Sequence, residues 1–248
     1  MGVSYRGNSA MTTQKHEDQE KELVRAFFEQ RPAGFFVEVG ANDPRLLSQT
    51  WHLEEKGWRG ILVEPNPSCA EELRKHRKNS TVVQAACSSP ENSGEALFHF
   101  SKSSALSGLQ KHVDDTKVVY ERSELVQVRT LDDILEKAGN PHIDFISIDV
   151  EGTELDVLKG FNLPRHRPSL ILLEDKVHTL QKHFHLKRNG YRLIRRTRVN
   201  NWYIPSDVPH RRPPVMERLE LIRKMYLGTP WRKLKLGLKR IRRPESPD

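Results

Sequence analysis

Apolar and polar positions along this chain of 248 residues follow two alternating rhythms. Short runs rich in β-branched and aromatic residues predict buried strands: "FFVEV" at 35–39, "ILV" at 61–63, a third within "STVVQAACSS", then 143–148 and "SLILLED", which ends in acids. Segments of helical spacing lie between them. "EDQEKELVRAFFEQ" places Leu23, Ala26 and Phe27 on one side. "LLSQTWHLEEKG" predicts a helix near 46–56, with Leu46, Leu47, Thr50, Trp51 and Leu53 on its apolar face. "PSCAEELRKHRKN", "ELDVLKGF" and "VHTLQKHFHLKRNG" continue the series, and in "TLDDILEKAGN" Thr130 is the expected cap and Gly139 the stop. "EALFHF" and "ELVQVRT" are further strands flanking a Ser/Gly loop at 101–112, and "YRLIRR" with "NWYIP" predicts a closing antiparallel pair. Such alternation gives a mostly parallel sheet with helices on both faces.

Several strands finish in an acid: Glu38, Glu64, Asp149, then Glu174 and Asp175. The carboxyl ends of parallel strands share one edge of the sheet, where ligands bind in such folds. Gly40 permits a tight turn after the first strand. Glu64 follows at about the 20-residue separation from which an acid reaches a ribose. A carboxylate accepts hydrogen bonds from both ribose hydroxyls. The residues therefore predict a nucleoside cofactor. They leave open a nicotinamide dinucleotide or S-adenosylmethionine, although the glycines that let backbone amides crowd a pyrophosphate are missing.

"FFVEVGANDPRLLSQTWHLEEKGWRGILVEPNP", "RTLDDIL" and "IDFISIDVEGTELDVLKGF" closely resemble the FkbM-type family of S-adenosylmethionine-dependent methyltransferases, over roughly residues 35 to 204. The resemblance implies a class I methyltransferase fold, a Rossmann-like three-layer sandwich whose seven-stranded sheet has an antiparallel last strand. With the pattern and charge of the two ends, the expected division is a disordered N-terminus (1–16), a methyltransferase domain (17–207) and a basic amphipathic tail (208–248). The resemblance also implies O-methylation of a hydroxyl, often on a sugar or glycosylated metabolite. Carried over by position, Glu38 and Gly40 match the motif whose loop meets the methionine end of the cofactor. Asn42, Asp43 and Ser48 lie in or beyond that loop, as contacts for its amino or carboxylate group. Glu64 matches the ribose-binding acid, Ala85 and Ala86 fall beside the adenine, and Asp149 lies close to the transferred methyl group. Pro44 stands where many relatives have glycine, and it offers no amide hydrogen.

A sugar hydroxyl is a weak nucleophile that benefits from a general base. Asp149 is the first candidate, with Glu174 and His178 behind it. The site is expected to work without a metal. The alternative is a divalent cation on Asp149, Glu174 and Asp175, whose hard oxygens suit magnesium. The loop at 101–112, with Lys102 and Lys111, is either an acceptor grip or a plain connection.

Charge changes the picture only at one end. The net charge is +8, and from His210 onward 12 lysines and arginines face 4 acids, so the excess belongs to the tail. Val215, Leu219, Ile222 and Tyr226, then Trp231, Leu234, Leu238 and Ile241, recur at helical spacing among these basic residues. A basic amphipathic helix suits an anionic membrane surface. Nucleic acid is the competing partner, with RNA methylation as the corresponding activity, and packing on the domain is the third reading. A non-catalytic cofactor-binding module is a further alternative. No apolar run approaches the ~20 residues that span a bilayer, and the first residues lack a signal-peptide core. The expected location is cytoplasmic, at most peripheral to the inner face of a membrane. Cys69 and Cys87 have no spacing motif and are expected as reduced thiols.

Overall fold

The computed structural model describes residues 18–111, 118–176, 179–210, 214–232 and 234. Its centre is a seven-stranded sheet. The strands are β1 (Phe35–Val39), β2 (Arg59–Val63), β3 (Ser80–Val83), β7 (Phe145–Ile148), β8 (Leu170–Glu174), β9 (Tyr191–Thr197) and β10 (Asn200–Pro205). They lie in the order β3-β2-β1-β7-β8-β10-β9. All neighbouring pairs are parallel except those of β10, which runs antiparallel to both β8 and β9. This is the class I methyltransferase sheet, with its antiparallel last strand slotted in beside the edge. Strands β4 (Ala86–Cys87), β5 (Gly94–Ser101) and β6 (Tyr120–Arg129) make a small second sheet.

Strand alternation divides the core into two layers. Val37, Val39, Ile61, Val63, Ile146 and Ile148 face Leu131, Ile134 and Leu135 of α4 (Leu131–Lys137) and Val157 and Leu158 of α5 (Glu154–Lys159). The other face carries Phe36, Leu62, Phe145 and Leu172. It packs on Val24 and Phe28 of the first helical segment, α1 at 18–27 and its following turn, and on Leu53 and Leu73 from α2 (Trp51–Glu54) and α3 (Pro67–His76). Thr130 caps α4 by accepting the Asp133 N–H, as expected. Short helix α6 (Leu163–His166), then α7 (Gln181–Arg188) and α8 (Val215–Ile222), complete the helices used below.

Two local expectations need correcting. The helix predicted near 46–56 shrinks to Trp51–Glu54, and Leu46 and Leu47 are exposed. In α1 the buried positions are Glu20 and Val24, while Ala26 faces water. A carboxylate belongs to that inner face for a reason that lies in the cleft.

Candidate active site

The cleft opens at the carboxyl edge of the sheet, where β1 and β7 end side by side. Gly40 turns there with φ +83°, and a Cβ would stand 1.8 Å from the Asp149 carbonyl oxygen. Only glycine allows this approach. Glu38, one turn of the pleat earlier, points into the α1–α3 layer and is buried. It accepts the Ser48 hydroxyl (2.8 Å), the Thr50 hydroxyl (2.6 Å) and the Gln49 N–H (2.7 Å). Arg77, a buried side chain at the end of α3, ties the same loop. Its guanidinium donates to Ser48 (3.0 Å), Thr50 (2.8 Å), the Pro44 carbonyl (3.2 Å) and Glu54 (2.6 Å). Glu38 thus holds the loop around the cleft through its neighbours.

This network corrects two expected contacts. Ser48 is buried inside it, with its hydroxyl committed to Glu38 and Arg77. Asp43 accepts the Arg45 and Leu46 N–H groups, both at 2.7 Å, and so shapes the turn after Pro44. It lies on an outer groove with Arg45 and His76, away from the two cavities beside Asp149.

Glu64 caps β2 beside Gly40. Its two oxygens accept the Asn42 and Asn66 N–H groups, each at 2.8 Å. Burial pushes the carboxyl up to about 7, with the Asn66 and Asn42 bonds working against the rise. Asn42 takes a left-handed φ of 47° to make its bond. Ala85, Ala86 and Phe98 continue the same cleft, which the segment bearing Ser104, Ala105, Ser107 and Leu109 covers. Part of the loop at 101–112 therefore closes this side, while Lys111 lies over the Tyr120 ring. Both cysteines are free thiols, and Cys69 approaches the Asn42 side-chain oxygen at 3.5 Å.

Asp149 stands where two cavities meet. Its side chain opens into the cleft and is otherwise ringed by protein. Glu151, in a left-handed turn with φ 55°, and Glu174 bring carboxylate oxygens within 4.8 Å of Asp149 and of each other. Desolvation by the protein packed around the carboxylate, then the charges of Glu174, Glu151 and Glu154, raise Asp149, although the residue is itself exposed to the cleft. Burial and Glu151 push Glu174 up to about 7. Lys176 offsets this crowding, lying 3.1 Å from Glu151 and 3.6 Å from Glu174. The acid expected to join Asp149 and Glu174 as an alternative metal ligand, Asp175, is turned away. It is buried against Asn201 (3.1 Å) and Lys182 (3.1 Å). His178 lies outside the described residues.

The larger cavity, about 440 Å³, extends from Asp149 toward α1 and the β9–β10 hairpin. Polar side chains dominate its far wall: Gln19, Glu20, Gln49, Thr197, Arg198 and Asn200. Glu20 accepts from Thr197, from Asn200 (2.7 Å) and from Gln49 (3.1 Å), which fastens α1 across the cavity. Its burial raises its pKa, against the three bonds that lower it. These residues, with Arg77 and Glu151, were not foreseen from the sequence. An acid inside the apolar stripe of α1 was the visible sign.

Known structures of similar shape include precorrin-6y C5,15-methyltransferase from Geobacter metallireducens, at 16% identity over 74% of this chain and 85% of that one, with a TM-score of 0.40. The N-terminal domain of human METTL16 in complex with SAH gives 13% identity over 76% and 68%, with a TM-score of 0.42. TrmK of M. capricolum in complex with S-adenosyl-homocysteine gives 10% identity over 96% and 95%, with a TM-score of 0.41. Among curated protein sequences no match is found. The model of the Methyltransferase FkbM domain matches residues 38–193, from Glu38 through Glu64, Asp149 and Glu174 into β9. The chain therefore belongs to the FkbM family of S-adenosylmethionine-dependent methyltransferases.

Proposed function

We propose that the protein methylates a hydroxyl group of a sugar, glycan or glycosylated metabolite. The observation that carries this reading is the cavity beside Asp149, one wall of which gathers amide, hydroxyl, carboxylate and guanidinium groups while Leu23, Leu47 and Val199 line the rest. Such a wall suits an acceptor that presents several hydroxyls.

The residues of the narrower cleft fit the cofactor. Gly40 lines both cavities and lets the β1 turn close against Asp149, Glu64 offers its remaining lone pairs to ribose hydroxyls, and Ala85 and Ala86 leave a small-residue wall for adenine. When bound, S-adenosylmethionine supplies an electrophilic methyl carbon on a sulfonium, already a good leaving group. Asp149 faces both cavities, and we assign it the acceptor hydroxyl. Asp149 would accept the proton that the acceptor hydroxyl gives up on methylation, the cofactor leaving as the neutral thioether. A general base gains from a raised affinity for the proton it takes, and desolvation, then the charges of Glu174 and Glu151, raise that affinity at Asp149. Glu174 stands behind it, and Lys176 limits the accumulated negative charge. Holding hydroxyl and methyl in line supplies much of the acceleration.

Mass spectrometry of glycans and small metabolites from cells with and without the protein tests this proposal. The expected difference is the mass of one methyl group on a hydroxylated compound. A methyl difference confined to RNA would overturn it.

A further inference from the structure

We propose that the outward face of the C-terminal helix docks on an anionic lipid membrane. Helix α8 continues through a wider turn at Arg223–Leu227 into a helical stretch reaching Arg232. One side of it is fastened to the domain. Met225 is fully buried, the Tyr226 hydroxyl meets His183 Nε2 of α7 at 2.8 Å, and Glu217 lies 3.7 Å from Arg195 of β9. Packing on the domain and an exposed binding face are therefore both present in this one element.

Val215, Met216, Leu219, Ile222, Leu227, Trp231 and Leu234 are each between 48 and 76% exposed. Exposed Arg218 and Arg223 stand among them. The segment from His210 carries 12 basic against 4 acidic residues. An apolar face bordered by cations matches a lipid interface, which takes the leucines and tryptophan into its acyl boundary and the arginines at its headgroups. Nucleic acid would use the charges and leave Leu219, Ile222 and Trp231 in water. A second copy would oppose two surfaces of the same positive sign. None of the described helices is long and apolar enough to cross a membrane, so the contact is peripheral. Arg232 also comes near enough to Asp175, just past the end of β8, to feel its charge. The inner side of this helical stretch therefore passes the end of β8 on the face to which Asp175 is turned, the face opposite Asp149.

The full chain should sediment with vesicles of phosphatidylcholine and phosphatidylglycerol, weaken with added salt, and ignore phosphatidylcholine alone. Trp58 and Trp202 are buried and Trp51 is half-buried, so a blue shift in tryptophan fluorescence on binding reports Trp231. It should vanish in Trp231→Phe. The double variants Leu219→Glu/Ile222→Glu and Arg218→Glu/Arg223→Glu should each lower vesicle partition by about tenfold or more. Both alter exposed positions, so circular dichroism and cofactor calorimetry should match the unaltered protein. That match separates failure of docking from failure of the catalytic reading. The proposal is overturned by any of three results: no partition onto anionic vesicles, partition unchanged in both double variants, or a short RNA retained while vesicles are not. A stable dimer that Leu219→Glu/Ile222→Glu dissociates would assign the face to self-association and overturn it as well.

Discussion

Protonating Glu64 probes the adenosine side of the cleft without changing the sequence. Burial places its titration at about 7, although two backbone amides bond the charged form. A carboxylate accepts ribose hydroxyls better than a carboxylic acid does. Cofactor binding should therefore draw the group back toward its ordinary 4.5 and release a proton below about pH 7. Across about pH 5 to 7, each pH unit then changes affinity close to tenfold. S-adenosylhomocysteine should bind roughly thirty- to a hundredfold more weakly at about pH 5 than at about pH 8. Calorimetry in two buffers of different ionisation enthalpy reads both the affinity and the released proton. Stability of the free protein runs the other way. The folded state holds this proton more tightly than the unfolded chain, so stability falls as pH rises from 4.5 to about 7 and then levels off. The loss from this group is at most about 3 kcal/mol. Glu64→Gln removes the titration and should flatten the affinity profile. Because its single carbonyl oxygen faces two N–H groups, the variant should also lose some stability. A flat profile in the unaltered protein would refute the reasoning. A slope that survives in Glu64→Gln would assign the titration to Asp149 or Glu174 instead.

Three further outcomes are expected. Arg77→Met strands the buried carboxylates of Glu54 and Glu38, so urea denaturation should show a loss of roughly 3–5 kcal/mol, with weaker cofactor binding as the loop at 42–50 loosens. A near-neutral result would mean that these carboxylates are held otherwise. The cleft beside Glu64 has a volume of about 50 Å³, so adenosine enters only if the covering turn moves outward. Hydrogen exchange at 104–109 should change when S-adenosylhomocysteine is added, and unchanged exchange would put the adenosine elsewhere. Methyl transfer should survive a chelator, because a carboxylate base needs no cation. Loss of turnover with EDTA, restored by magnesium, would instead assign a cation to Asp149, Glu151 and Glu174.

Much of the architecture was legible because strand composition and acidic strand ends are local signals. Glu38, Glu64, Asp149 and Glu174 come together because parallel strands end at one edge. The segment at 45–50 was not legible. Its spacing fits a helix, yet Glu38 recruits the Ser48 hydroxyl, the Gln49 N–H and the Thr50 hydroxyl into an irregular loop. A partner ten residues upstream leaves no mark on periodicity. In "RKHRKN" nothing distinguishes Arg77 from its neighbours, which remain on the surface. Glu174 and Asp175 were grouped as potential ligands, but adjacent residues at a strand end point to opposite faces. Glu151 joins the cluster through a left-handed backbone that non-glycine residues seldom adopt. Glu20 finds Thr197 and Asn200 only once α1 has crossed the cavity.

The central claim is that Asp149 serves methyl transfer to a hydroxyl. The protein and its Asp149→Asn variant, each with methyl-labelled S-adenosylmethionine, would be incubated with glycan, RNA and protein fractions from cells lacking the enzyme. Label should enter the glycan or small-metabolite fraction as an alkali-stable methyl ether. It should fall by roughly 10²–10⁴-fold in Asp149→Asn, the range typical of losing a general base, while calorimetry shows cofactor affinity nearly unchanged. Label in RNA or protein alone, or near-normal transfer by a stably folded Asp149→Asn variant, would contradict the account.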